Sequence, residues 1–188
     1  MNLKKLIPST LFALSIALTS VANVTNPKND KKEKITKTEN EKTIVGVAAS
    51  NENFTTLVAA VKAAGLVDVL NSDGPFTVFA PINDAFGKLP KGTVESLLKP
   101  ENKKLLTAIL TYHVVAGEFK AKDVVKAIKD NNGKFVIKTV QGGELTASLK
   151  DGKVILTDVK GNISTIIITD VDASNGVIHA IDSVVMPQ

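Results

Sequence analysis

Cysteine is absent from this 188-residue chain, and so is arginine. Without cysteine there is no disulfide, no thiolate metal site and no lipoprotein attachment point, so stability must come from core packing alone. Without arginine, every basic side chain is lysine, and the residue that forks onto phosphates and guanine edges is missing. Nucleic-acid binding is therefore not expected. Histidine occurs only twice and no Gly-x-Ser-x-Gly elbow is present, so no nucleophile has a visible base. No catalytic residue, cofactor or metal ligand is expected. Charge of one sign is also scarce: the formal balance is +4, but residues 43–188 hold 15 Lys against 15 Asp plus Glu.

Long apolar runs are lacking except at the N-terminus. Lys4 and Lys5 precede an apolar stretch over residues 6–18, and Ser20-Val21-Ala22 supplies small residues. That order reads as a secretory signal over 1–22, shorter than the roughly 20 apolar residues a membrane-spanning helix needs. Export without disulfides suits a bacterial route. Residues 23–42 alternate Lys, Glu, Asp, Asn and Thr with Ile35 nearly alone as a large apolar residue. Such a segment buries too little surface to offset its ordering entropy and reads as a disordered linker. The third unit, 43–188, has the composition of a globular domain.

Within it the hydrophobic period changes once. Phe54, Leu57, Val58 and Val61 form a helical stripe, with Asn51 or Asn53 as its cap and Gly65 as its stop. A helical turn over 67–70, another after Thr93, a helix opened by Pro100 with Leu105, Leu106, Ile109 and Leu110 on one face, and a short helix over 122–128 follow. Residues 112–115 read as a strand. Beyond Gly133 the chain alternates at period two over 135–140, 145–149, 154–159 and 163–169, and Asp151-Gly152 signals a two-residue hairpin. Ile166-Ile167-Ile168 is apolar on both parities and predicts a central position. Helices segregated from antiparallel strands give an α+β class.

The stretch from Gly74 to Phe86 packs three signals together. Gly74-Pro75 turns the chain, residues 76–80 form an apolar β run, and Pro81 ends it, leaving Asn83 to cap a helix. This stretch, with Thr77, Phe79, Pro81, Asn83 and Phe86, resembles the first signature box of the fasciclin domain. Tyr112-His113-Val114 and the run from Asn175 to Pro187, with Asn175, Gly176, His179 and Asp182, are similar to the other two. The resemblance covers residues 43–188 and departs at Ile82, where the family usually carries a small hydroxyl residue. It implies a wedge of two mainly antiparallel β-sheets, in effect a β-sandwich, flanked by short helices, on secreted and surface proteins that mediate adhesion.

The resemblance also implies candidate interaction residues. Tyr112, His113 and Val114 match the family's Tyr-His pair, linked to receptor binding; a buried aromatic beside a hydrogen-bonded histidine explains the same residues. Asp170 and Val171 align with an Asp-Ile integrin-contact motif, and a strand end feeding a Ser-Asn-Gly turn explains them equally. The Asp170–Gly176 stretch begins like a calcium loop, but its glycine is at the seventh position and Ile181 stands where a bidentate Glu belongs. His179 and Asp182 are expected to point to opposite sides of one strand, so they form no dyad. The expected function is a secreted, monomeric, non-catalytic adhesion module that binds a surface protein or polysaccharide of the cell envelope or matrix. A soluble binder of a small apolar ligand is the alternative.

Overall fold

Thr43 turns the chain into its first helix: its side chain accepts a hydrogen bond from the Gly46 amide and opens α1 (Ile44–Ala49). The computed structural model describes residues 43–188, so the expected signal and linker lie outside the described residues. Asn51 caps a 3-10 turn over Glu52–Phe54. Helix α2 (Thr55–Ala64) follows and buries Leu57, Ala60, Val61 and Ala64, then ends on Gly65 with φ +72°, a left-handed conformation that glycine adopts without strain. No side chain of its own N-terminal residue caps α2. Asn83 does so from a distance, its Oδ1 accepting from the Thr56 amide (3.0 Å) and the Thr55 hydroxyl (3.1 Å) while its Nδ2 donates to the Glu52 carbonyl (2.8 Å). The sequence suggested that Asn83 caps the helix it begins. It instead clamps the N-terminus of α2, two helices earlier in the chain, and α4 (Asn83–Gly87) starts after Ile82 with no side-chain cap.

Helix α3 (Val67–Leu70) leads into β1 (Phe76–Pro81); after α4 come α5 (Thr93–Leu97), a 3-10 turn over Pro100–Asn102, and α6 (Lys103–Tyr112). Leu106, Ile109 and Leu110 of α6 are buried, whereas Leu105 lies outside the stripe and is 52% exposed. Then β2 (Val114–Ala116), α7 (Ala121–Asp130) and the strands β3 (Lys134–Lys138), β4 (Glu144–Lys150), β5 (Lys153–Thr157), β6 (Ile163–Ala173) and β7 (Gly176–Ile181) complete the chain. The Asp151-Gly152 hairpin forms as read, with Lys150 paired to Lys153 and both turn residues at positive φ.

The expectation of two antiparallel sheets in a sandwich is corrected. The strands make one seven-stranded mixed sheet in the order β2-β1-β7-β6-β5-β4-β3, with β1 and β7 parallel. The reason is the length of β6: residues 163–165 pair with β5, while 166–173 pair with β7. One strand thus joins what would otherwise be two sheets. The sheet also curls nearly shut, since the Val140 amide donates to the Val114 carbonyl at 2.7 Å and brings the end of β3 against β2.

Two cores result. One lies between the helices and one side of β1 and β7, around Phe54, Leu57, Val61, Leu106 and Ile178. The other lies inside the curl, where Val124 and Ile128 of α7 meet Phe79, Tyr112, Leu145 and Leu156. β1 and β7 are buried on both faces, which explains their near-continuous apolar sequences.

Candidate functional site

Tyr112 closes α6, so the expected strand over 112–115 is shorter than read and begins at Val114. The Tyr112 ring is fully buried and its hydroxyl donates to the Glu144 carbonyl at 2.6 Å. Burial pushes the phenol's pKa up. The ring fits because position 143 is glycine: a Cβ there would stand 2.6 Å from Tyr112 Cε2.

His113 is the C-cap of α6 and only 2% exposed. The Val185 amide donates to its Nε2 (3.2 Å), so the ring proton sits on Nδ1, 2.8 Å from the Ile109 carbonyl. Burial lowers its pKa to about 4, and the ring is neutral at physiological pH. Val114 is also buried and packs with the helices. The pair thus ties α6 to the C-terminal segment from inside.

The second candidate pair has internal partners too. Asp170 sits at φ +55° in an irregular part of β6, and its carboxylate accepts from the Ala121 amide at 2.8 Å, capping α7. Val171 is half-buried against the helical core. His179, buried on β7, accepts from the Asp170 amide at Nδ1 (3.2 Å), lies 2.7 Å from the Phe119 carbonyl through Nε2, and stacks on Phe79. Burial lowers its pKa. Asp182 has different partners, the Thr165 amide (2.8 Å) and Lys88 (3.2 Å). Burial raises the pKa of Asp182, but the Thr165 amide and Lys88 outweigh it and hold the carboxyl below its usual range.

The rest of the signature is equally structural. Asn175 accepts from the Ile44 amide and donates to the Leu70 and Ser72 carbonyls, joining α1, α3 and the β6–β7 turn. Thr77 donates to the Gly117 carbonyl and accepts from the Phe119 amide, bracing the β2–α7 loop. No group of three or more His, Asp or Glu suited to a metal occurs among the described residues. An apolar cavity between α1, α2 and the sheet measures about 30 Å³, room for about one water molecule.

What the sequence reading passed over is the outer face of β3–β6. The strand registers place Val136, Thr146, Thr157 and Ile163 side by side in one row. The next row holds Lys134, Ser148, Ile155 and Thr165. Helix α7 packs on the opposite, inner face through Val124 and Ile128, and the outer face is bare: Val136 is 50% exposed, Ile163 52% and Ile167 44%. The signal that could have found it was the period-two alternation itself, which leaves these apolar residues on the parity opposite to Ile137, Leu145 and Leu156.

Residues 52–187 match the family model for the fasciclin domain. The chain is 51% identical over 178 residues to Protein sll1483 of Synechocystis sp., covering 95% of this chain and 92% of that protein. It is 44% identical over 149 residues to the Immunogenic protein MPB70 of Mycobacterium bovis, covering 76% of this chain and 68% of that one. Among solved structures, a FAS1 domain pair from the insect cell adhesion molecule Fasciclin I superposes with a TM-score of 0.67 at 21% identity, covering 76% of this chain and 50% of that chain, a likeness of fold. With the three signature stretches now seen as the joints of that fold, the chain belongs to the fasciclin domain family.

Proposed function

We propose that this chain is a secreted or surface-associated, non-catalytic adhesion module, and that the bare outer face of β3–β6 is where it holds a protein or polysaccharide. The observation that carries this reading is the uncovered row of Val136, Thr146, Thr157 and Ile163. A sheet face that no other element covers, with Val136 and Ile163 exposed at its two edges, is a candidate interaction surface. The two histidines support the non-catalytic part, since both are buried and bonded to backbone groups. The apolar-ligand alternative finds little support in a cavity of about 30 Å³, against the roughly 300 Å³ or more typical of small-molecule sites. No helix among the described residues is long and apolar enough to cross a membrane.

In this reading Tyr112, His113, Val114, Asp170 and Val171 serve adhesion only by shaping the fold. The test pairs Val136→Glu with Ile163→Glu in the full chain and measures adhesion to cell-envelope material beside a denaturant melt. The expected result is lost adhesion with the unfolding midpoint retained. Full adhesion by the folded double variant would sink the proposal.

A further inference from the structure

Alternation along the strands sorts the charges of the sheet as well as its apolar residues. Lys134 and Lys138 of β3, Glu144 and Lys150 of β4 and Lys153 of β5 all share the outer face with Val136 and Thr157. They are unevenly placed along it. Lys138 stands directly opposite Glu144 at one end, whereas Lys134, Lys150 and Lys153 gather at the other. Lys150 and Lys153 are direct cross-strand partners, and Lys134, opposite Ser148, is one diagonal step from Lys150. All three are exposed, and none is held by an ion pair among the described residues. The nearest acid in sequence is Asp151, in the hairpin turn between Lys150 and Lys153.

Like charges directly opposite each other weaken a strand pair, and an anion seated between them relieves the repulsion. This three-lysine cluster stands out because the domain as a whole carries as many acidic residues as lysines. From the cluster, the two rows of hydroxyls and short branched side chains run across the face, four strands wide at roughly 4.8 Å per strand. Thr146, Ser148, Thr157 and Thr165 supply hydroxyl donors and acceptors, interleaved with the methyl groups of Val136, Ile155 and Ile163.

We propose that this face binds an acidic polysaccharide, with sugar carboxylates on Lys134, Lys150 and Lys153 and sugar hydroxyls on the Thr/Ser rows. This rests on the proposed function and names its partner. Lysine is a point charge that serves carboxylates scattered along a flexible polymer, with no need of the arginine fork. A bilayer suits the face less well: its apolar residues are β-branched, interrupted by hydroxyls, and include none of the aromatic or leucine side chains typical of a lipid-interface face.

The test measures binding of the full chain to immobilised polygalacturonate, to neutral dextran and to phosphatidylglycerol vesicles, at low salt and at about 0.15 M salt. Polygalacturonate is expected to bind, more weakly at the higher salt, and dextran not to bind. Lys134→Gln, Lys150→Gln and Lys153→Gln combined should weaken binding about tenfold, each exposed charge contact being worth a few-fold at most. Combined Lys62→Gln, Lys91→Gln and Lys104→Gln, which remove the same charge from the helical half, should change it less than about twofold. Equal loss in both triple variants, binding to vesicles alone, or no binding to the polyuronate would overturn the inference. If Val136→Glu with Ile163→Glu abolishes adhesion to envelope material while the first lysine triple retains it, the adhesion reading stands and the acidic-polysaccharide inference falls. If neither variant affects adhesion, both fall.

Discussion

The β1–β7 pair and the β3–β6 meander differ in what their residues are for. β1 and β7 are buried on both faces, parallel to each other, and lie within the first and third signature stretches. The meander is buried on one face, bare on the other, and carries no signature stretch. The signature residues are joints: Asn83 clamps α2, Asn175 joins three elements, and the two histidines bond to backbone groups of segments distant in sequence. The most recognisable residues therefore fix the frame, and the bare sheet face lies in the least recognisable strands.

The comparison breaks most sharply at Gly176. It pairs with Phe76 across the parallel strands, at φ +155°, and a Cβ on it would lie 2.0 Å from the Phe76 carbonyl oxygen. Backbone cannot yield there without parting β1 from β7. Gly176→Ala is expected to cost more than about 4 kcal/mol and leave little folded protein, as read by urea denaturation. A folded variant within about 1 kcal/mol of the parent would show that the central pair tolerates adjustment after all.

Acid should act on the same centre. His113 has a folded-state pKa of about 4, below its ordinary 6.5 because of burial, so the unfolded chain binds more protons between those values. Its contribution is fully present above pH 6.5 and is lost as pH falls towards 4, about 3 kcal/mol in all. His179, lowered in the same direction, adds to the loss. Asp182 and Asp158 act later. Burial raises the pKa of Asp158, but the Met186, Asn162 and Lys160 amides and the Asn162 side chain together hold it below 3.8. Both carboxylates therefore weaken the fold only below about pH 3.8, through the linkage of protonation to unfolding. Denaturant melts at pH 7.5, 5.5 and 4.5 should show stability falling before Asp158 or Asp182 takes up a proton. A flat profile to pH 4.5 would mean that His113 is protonated without strain.

These effects trace how much was legible in the chain. Local signals were read correctly where neighbours in sequence decide the outcome. The Asp151-Gly152 hairpin, the α2 stripe with its Gly65 stop and the strand over 76–80 all formed where read. What failed depended on distant partners. Tyr112 ends a helix with its ring buried in the core inside the curl, among Phe79, Leu145 and Leu156 of strands distant in sequence. The single mixed sheet follows from β6 pairing two strands in succession, which no local pattern encodes. The same limit applied to the candidate surface: alternation marked two faces on each strand, but only the position of α7 decides which face is covered.

Asn83→Ala sharpens the point at moderate size. It deletes an acceptor for the Thr56 amide and a donor to the Glu52 carbonyl at a partly exposed site, so a loss of about 1–2 kcal/mol is expected. Thr93→Ala at the start of α5, where no side-chain cap is made, should cost under about 0.5 kcal/mol. Equal losses would mean that Asn83 contributes no more than an ordinary first-turn residue.

The smallest effect tests the two faces of the meander's last strand through adjacent residues. Ile166, Ile167 and Ile168 look interchangeable in sequence, and the central position expected of the run is met, since β6 is the middle strand of the seven. Only Ile166 is buried, pairing with Ile181 and facing the core inside the curl; the register of β6 then shifts between 166 and 168 and again before Val171. Those irregularities release the strand from strict alternation, which is why Ile167 and Ile168 are 44% and 41% exposed in succession. Ile166→Thr places a hydroxyl in an apolar core and removes packing, so it should cost about 2 kcal/mol or more. Ile167→Thr keeps a β-branched side chain on a surface already lined with threonine, and its cost should stay under about 0.5 kcal/mol. Side-by-side urea melts decide the matter. A large loss from Ile167→Thr would mean that the outer face is covered in solution, by another copy of the chain or by the segment before Thr43, and the bare surface on which the adhesion reading depends would not exist.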